Sequence, residues 1–509
     1  MTGRKTLLGA VAATLAAACY STGEGPSPPS NALYFPTALA ISADRSALYA
    51  VSSDFDLQFN AGTVQVYDLD ALRRRIPKLW AGEGCGDLGA NANRVLYPGP
   101  CGPLDAAPFV RASAEIGAFA TDALLLNDPE GPSARLFLPV RGDPSLTYLD
   151  LPTPFALECG QQRNGGKCSP EYRLGTDPND NTRGLTMPSE PFGIAAIMAK
   201  TADERGTRWQ QAIAVTHQTS GAVSLFTGTG PNGDSLFHGR PRLEYVLGGM
   251  PAGATGIAAL PYSSANADDG TFHKPGFIVS FRNAAQLQIL RYFSDDNASP
   301  ARPFLVAGGR IPITVNADGY DSRGIAIGPN DERAACEIGC SALDEAERTA
   351  CLRQCASIPV PVYVANRAPT TLLVGETRTT VGSSGSSDTV SLYDSVPVAA
   401  GASRVVVGQV LGKDGRREDR VFVVCFDART IYVYDPVARR ITDTILTGRG
   451  PTAISIDIGT MDGEPYAFAY IAHFTDSYIG VVDLNASHVD TYMTMIATVG
   501  HPRPPAETQ

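Results

Sequence analysis

The chain has 509 residues, 18% of them charged, and a formal net charge of −11. Nucleic-acid binders draw affinity from clustered Lys and Arg, so this balance disfavours a phosphate-backbone partner, and no nucleic acid is expected. Fifty-one glycines and 38 prolines beside 43% hydrophobic residues point to many short elements joined by turns, and away from long helical repeats.

The first residues read MTGRKTLLGAVAATLAAAC. Arg4 and Lys5 give a charged start, Thr6 to Leu15 a short apolar run, and small residues follow. That is the pattern of a secretory signal over residues 1–18, too short for a stable bilayer span. The ending LAAAC is similar to a bacterial lipobox, in which cleavage precedes a cysteine that then carries lipid. Cys19 would be that residue, although Ala16 stands where leucine is usual. A plain cleavage site with an incidental cysteine is the alternative. Tyr20 in place of Asp resembles the signal for outer-membrane sorting, so the implied address is the bacterial envelope, with the membrane reached through the lipid. Residues 19–32, which include STGEGPSPPSN, read as a flexible tether.

From residue 33 to about 500 one pattern recurs. A β-rich run ends in a small or polar residue, a turn follows, and then apolar residues alternate. The runs are LYAVSSDF, RLFLPVRGD, QAIAVTHQT, GFIVSFRNA, PVYVANRAP, RVFVVCFDA and FAYIAHFTD, followed by segments such as GTVQVYDL, RTIYVYD and SYIGVVDL. Period-two alternation with β-branched and aromatic enrichment predicts strands joined as hairpins. Upstream lie shorter strands: FPTALAIS, EPFGIAAI, GATGIAALP, SRGIAIGP, SRVVVGQV and GPTAISIDIG; the second unit's counterpart falls near IGAFATDALLL. Seven units of roughly 40–45 residues account for about 300 residues. The surplus sits in insertions at about 71–108, 152–188 and 328–360.

GRGPTAISIDIG, AYIAHFTDSYIGVVDL and VYVANR resemble the YVTN-type repeat of bacterial β-propellers. The resemblance implies an all-β, seven-bladed β-propeller with long loop insertions and no particular activity. The chain end, TVGHPRPP, resembles the opening of a repeat, so it is expected to meet the chain start in a closed ring. Residues 501–509 form a Pro-rich tail.

The remaining cysteines fit an oxidising compartment. Cys85 with Cys101 and Cys159 with Cys168 are close pairs, and Cys425 in VFVVCFD reads as a buried thiol. In DERAACEIGCSALDEAERTACLRQCAS each cysteine pair is spaced i,i+4, which puts both sulfurs on one helical face. Symmetric spacing opposes Cys340 to Cys351 and Cys336 to Cys355 in an antiparallel helical hairpin stapled by disulfides. Ser341 with Asp344, or Asp344 with Glu347, would cap its second helix. Zinc is the alternative, disfavoured by the absence of an accompanying His.

Other motifs carry little chemistry. GTGPNG (228–233) holds a proline and no helix follows, and GSSGSSD (382–388) reads as a flexible loop. DPNDNTRG (177–184) and NADDG (266–270) offer alternate oxygens for calcium without completing a loop consensus. No haem-attachment motif is present and only Trp80 and Trp209 occur, so no cofactor is expected.

Register supplies the candidate site. Aligned on the end of each blade's second strand, the chain gives Ser52, Val140, His217, Phe281, Asn366, Cys425 and His473. The next position gives Ser53, Arg141, Gln218, Arg282, Arg367, Phe426 and Phe474. Arg141, Arg282 and Arg367, with Asn366 and His473, are therefore expected on a rim that grips a small anion or an acidic partner loop. Pairing of the arginines with neighbouring Asp143, Asp427 or Asp476 is the competing expectation. The leading expectation is a lipid-anchored, non-catalytic binding module. The alternative is a lactonase-like or related hydrolytic propeller, with His217 or His473 as general base and Arg on the substrate anion.

Overall fold

The computed structural model describes residues 25–80, 101–129, 131–160, 166–181, 183–203, 206–228, 236–237, 239–262, 275–293, 302–315, 319–382 and 385–502. Seven four-stranded antiparallel sheets form, each from consecutive strands. Blade 1 holds β1 (Pro36–Ile41), β2 (Ala47–Ser52), β3 (Gly62–Asp68) and β4 (Val110–Ile116). Blade 2 holds β5 (Leu124–Asn127), β6 (Ala134–Val140), β7 (Ser145–Leu151) and β8 (Arg173–Leu174). In blade 3 are β9 (Pro191–Asp203), β10 (Gly206–His217), β11 (Ala222–Thr227) and β12 (Arg242–Leu247). Blade 4 comprises β13 (Ala254–Ala259), β14 (Gly276–Phe281), β15 (Gln286–Phe293) and β16 (Phe304–Pro312). Then come β17 (Tyr320–Ile327), β18 (Val360–Ala368), β19 (Thr370–Gly382) and β20 (Gly385–Pro397) in blade 5. Blade 6 is β21 (Ala402–Leu411), β22 (Arg417–Cys425), β23 (Thr430–Asp435) and β24 (Arg440–Leu446). Blade 7 is β25 (Pro451–Met461), β26 (Glu464–His473), β27 (Tyr478–Asp483) and β28 (Met495–Val499). The propeller expected from the repeats is the observed fold.

The core is divided among the blade interfaces. Seven apolar clusters fill the seven gaps between neighbouring sheets, including the gap between blades 7 and 1. Strand β22 shows the rule: Val421, Val423 and Cys425 turn toward blade 5, while Phe422 and Val424 turn toward blade 7. Successive side chains leave a strand on opposite faces, so a sheet sandwiched between two others must be apolar at every position. That is why the second strands read as continuous Val-, Ile- and Ala-rich runs.

Neighbouring blades also interlock near one end of the channel. Thr121 Oγ1 donates to the Phe192 carbonyl at 2.8 Å, and Thr216 Oγ1 to Thr255 at 2.9 Å. Thr255 Oγ1 donates to Ser322 at 2.9 Å and Thr452 Oγ1 to Pro36 at 3.0 Å. Backbones approach so closely there that a Cβ on Gly193 would lie 2.1 Å from the Thr255 carbonyl oxygen, so only glycine fits.

Among the described residues no strand is exchanged between the first and last blades. The insertion after β3 closes the ring instead, through helix α1 (Leu69–Trp80) and the segment leading into β4. Leu69, Leu72, Ile76 and Phe109 join Phe468, Tyr470 and Ile496 in one cluster. Leu104 pairs with β28, accepting from Gly500 N–H at 2.9 Å and donating to the Thr498 carbonyl at 2.8 Å. Beneath, the buried Arg73 guanidinium donates through Nε to Asp457 at 2.9 Å and sits 4.6 Å over the Tyr466 ring. Asp457 also accepts from the Tyr466 and Tyr470 hydroxyls at 3.3 and 3.4 Å. Chain start and chain end meet as expected, but through side chains and a short bridge.

The cysteine segment forms helices α2 (Asp331–Cys340) and α3 (Glu345–Ala356), stapled by Cys336–Cys355 and Cys340–Cys351. Asp344 is the cap of α3, its side chain accepting from Glu347 N–H at 3.0 Å. Cys159–Cys168 is also bonded; Cys101 is in a disulfide, and Cys85 lies outside the described residues, as does Cys19. GSSGSSD is not the loop expected: β19 and β20 run on as one long hairpin to the Gly382–Gly385 pair. Part of the expected tether is docked, with Gln65 Nε2 donating to the Pro29 and Ala32 carbonyls at 3.1 and 2.9 Å.

Candidate site at the channel mouth

The seven second-strand ends reach one face of the ring, but their side chains do not. Ser52, Val140, His217, Phe281, Asn366, Cys425 and His473 are each 0% exposed. This corrects the expectation that Asn366 and His473 stand on the rim. Both faces of these strands are covered by neighbouring blades, so the last strand residue is still core.

Their hydrogen bonds are structural. Asn366 Nδ2 donates to the Pro369 carbonyl at 2.7 Å, and its Oδ1 accepts from Ser322 Oγ at 2.8 Å. His217 Nδ1 lies 3.0 Å from the Ser189 carbonyl, which only accepts, so Nδ1 carries the proton and Nε2 accepts from Ser224 Oγ at 2.7 Å. His473 likewise donates from Nδ1 to Ile471 at 3.1 Å, stacked 4.1 Å from the Tyr478 ring. Burial pushes the His217 imidazole down to about 4 and that of His473 to about 3, so both are neutral at physiological pH. Burial also holds the Cys425 thiol up, at about 12.

One residue further on, side chains do emerge. Arg141, Arg282 and Arg367 are partly exposed, and each is paired: with Glu190, with Asp321 at 3.2 Å, and with Asp427. Each pair joins one blade to the next. Asp143 and Asp476, also weighed as partners, bind Arg173 and Arg449 at 2.5 Å instead.

Two further arginines come from inner strands. Most inner strands begin with a bulge, between Pro36 and Ala38, Ser322 and Gly324, Ala402 and Arg404, and Pro451 and Ala453. An inserted residue re-aims the side chains around it. Arg323, the bulged residue of β17, binds Asp321 through two contacts of 2.5 and 3.0 Å. Burial raises the Asp321 carboxyl, but the hydrogen bond and charge of Arg323, with Arg282 and Arg367, outweigh it and hold it below the usual range. Arg404 of β21 reaches from blade 6 to Asp122 of blade 2, at 2.7 Å. These blades are not neighbours, so this pair spans the channel.

Phenylalanines complete the mouth. Phe474 contacts Phe55 at 5.2 Å and Phe426 at 6.2 Å between centroids, and Phe55 contacts Phe119 at 5.9 Å. The rings form an arc over blades 6, 7, 1 and the entry to blade 2. Arc and arginines together enclose a cavity of about 330 Å³ lined by Arg141, Arg323, Arg367, Arg404, Phe55, Phe119, Phe192, Phe426 and Phe474, among others. Arg282, His217, Asn366 and His473 do not line it. Beside it, Asp54 is fully buried, accepts from Phe59 N–H at 3.2 Å, and is lifted by burial to about 6.

Metal-binding candidates find other uses. The sulfurs of Cys336, Cys340 and Cys355 lie together but are tied in disulfides, which removes the thiolates a metal needs. In DPNDNTRG, Asp177 accepts from Asn179 N–H at 2.9 Å and Asp180 pairs with Arg240 at 2.6 Å. NADDG lies outside the described residues, as do residues 229–233 of GTGPNG.

No family model matches the chain, and no curated protein matches it. Among solved structures it is similar to hydrazine synthase of Kuenenia stuttgartiensis, at 12% identity and a TM-score of 0.44, over 91% of this chain and 99% of that one. Apo AztD from Citrobacter koseri matches at 11% identity and a TM-score of 0.37, covering 92% and 87%. Dihydro-heme d1 dehydrogenase NirN in complex with DHE matches at 11% and 0.38, covering 93% and 68%.

Proposed function

We propose that the chain is a non-catalytic binding module whose channel mouth takes the anionic group of a small ligand or of an acidic partner loop. The observation that carries this reading is the convergence of Arg141, Arg323, Arg367 and Arg404, from blades 2, 5 and 6, in one cavity. Guanidinium groups that already hold carboxylates in partly exposed pairs can exchange them for an incoming anion at little cost, since pairs in contact with water contribute about 1 kcal/mol or less each. A hydrolytic reading finds less support, because the imidazoles it would use as bases are enclosed beneath the rim. The sequence adds the second half of the proposal: Cys19 carries lipid and holds the propeller at a bacterial membrane, facing the envelope.

Each half has its own test. Calorimetric titration of the full chain with carboxylates and with inorganic phosphate should show saturable binding. The R141Q/R367Q/R404Q variant should lose it at least tenfold, and unchanged binding would remove the mouth from consideration. Cys19→Ala should move the protein from the membrane fraction to the soluble one; retention there would refute the anchor.

A further inference from the structure

The mouth is divided by chemistry, and the division specifies what it accepts. Resting on the anion-binding reading above, we propose that the ligand is an aromatic carboxylate, whose carboxylate takes Arg404 from Asp122 while its ring packs against Phe55 and Phe474. Two observations lead there. Phe55 is 53% exposed although it touches Phe35, Phe119 and Phe474, so an edge-forming aromatic surface is left open toward solvent. Rings favour offset or edge-on partners at such spacings, which an aryl group supplies and an alkyl chain does not. The cavity arginines Arg141, Arg323, Arg367 and Arg404 are matched by Glu190, Asp321, Asp427 and Asp122, so an incoming carboxylate must displace one of these acids.

Arg404–Asp122 is the pair a ligand must open. It crosses the channel between non-adjacent blades, and its side chains are 28% and 19% exposed. No sheet hydrogen bond holds Arg404 and Asp122 together across the channel, unlike side chains on paired strands. A planar carboxylate arriving between them replaces the single Arg404–Asp122 contact with a two-pronged one, and its aryl body reaches the phenylalanine arc. Asp122 is thereby a built-in competitor that rejects weak anions.

The test uses the full chain and three probes: 2-naphthoate, hexanoate and 2-naphthol, titrated at low salt. Naphthoate should bind at least about tenfold tighter than either of the others, since each lacks one of the two features. Asp122→Asn should tighten naphthoate several-fold by freeing Arg404, and Arg404→Gln should abolish both the binding and that gain. Phe474→Leu should bring naphthoate and hexanoate within about threefold of each other. Equal affinity for the two acids would overturn the aromatic assignment while leaving anion binding intact. Naphthoate affinity unchanged or weakened in a folded Asp122→Asn variant would overturn the competitor role. If no carboxylate binds the wild-type chain, the inference falls; if inorganic phosphate fails to bind as well, the anion-binding reading falls with it.

Discussion

Arginine meets carboxylate at the channel mouth and beneath the seam between blades 7 and 1, and the two settings differ in water. At the mouth, the side chains of Arg141, Arg367 and Arg404 are 29%, 21% and 28% exposed, and their partners come from loops and strand starts. At the seam, the side chains of Arg73 and Asp457 are 4% and 0% exposed, with two tyrosine hydroxyls and a ring closing around them. A charge taken out of water must be compensated permanently, whereas one at a wet edge can change partners. The same chemistry therefore fastens the ring at one place and leaves it receptive at the other.

The sharpest way to break this contrast is to remove the seam arginine. Arg73→Met leaves the buried Asp457 with only the more exposed Arg45, at 3.6 Å, to meet its charge and should cost about 3–5 kcal/mol in urea unfolding, while carboxylate binding by the folded fraction stays unchanged. A loss below about 1 kcal/mol would place the seam pair with the exchangeable ones.

Acid probes the buried histidines next. His217 and His473 are neutral in the fold, but in the unfolded chain they take up protons near pH 6.5. Their contribution is full above about pH 6.5 and is lost as pH falls toward 4 and then 3, on the order of 3 kcal/mol or more each. Asp54, lifted to about 6, acts in the opposite sense: its contribution is present at low pH and lost as pH rises through 6. Thermal melts from pH 7 to 4.5 should show a falling midpoint, and the fall should be shallower in His473→Phe. An identical slope in that variant would return His473 to solvent.

Smaller effects belong to the mouth. The triple glutamine variant of Arg141, Arg367 and Arg404 should lose no more than about 1 kcal/mol of stability per pair, despite its loss of anion binding. Raising salt from 0.15 to about 1 M should weaken carboxylate binding at the mouth and leave the Arg73 contribution nearly untouched, because screening acts on exposed charges.

The sequence shows the blades more readily than the site. Alternation marked the second strands, and their seven end positions, Ser52 to His473, do share one level of the ring. Alternation could not show that these ends are covered, because a strand buried on both faces looks alike along its whole length. That is why Asn366 and His473 read as rim residues. Arg323 and Arg404 were missed for a different reason. They start the inner strands SRGIAIGP and SRVVVGQV, where a bulge shifts the register and turns side chains toward the channel. The Ser-Arg opening common to both gives no shared register, since Arg323 is itself the bulged residue whereas Arg404 follows the bulged Ser403. The cysteine hairpin was fully legible, since i,i+4 spacing and symmetry leave one antiparallel pairing. Helix α1 was not, because an insertion's sequence does not name the blade it packs on.

The absence of strand exchange has a consequence for assembly. Every sheet is complete within one unbroken stretch of chain, so no blade waits for a strand made several hundred residues later. Blades can form in order from local contacts, the kind that close quickly. The last docking, of blade 7 onto blade 1, and the Arg404–Asp122 pair across the channel join distant parts of the chain. Helix α1 and Leu104 are already in place from the first blade's own insertion when that blade arrives. The ring is thus a string of finished parts with its fastener carried at the front.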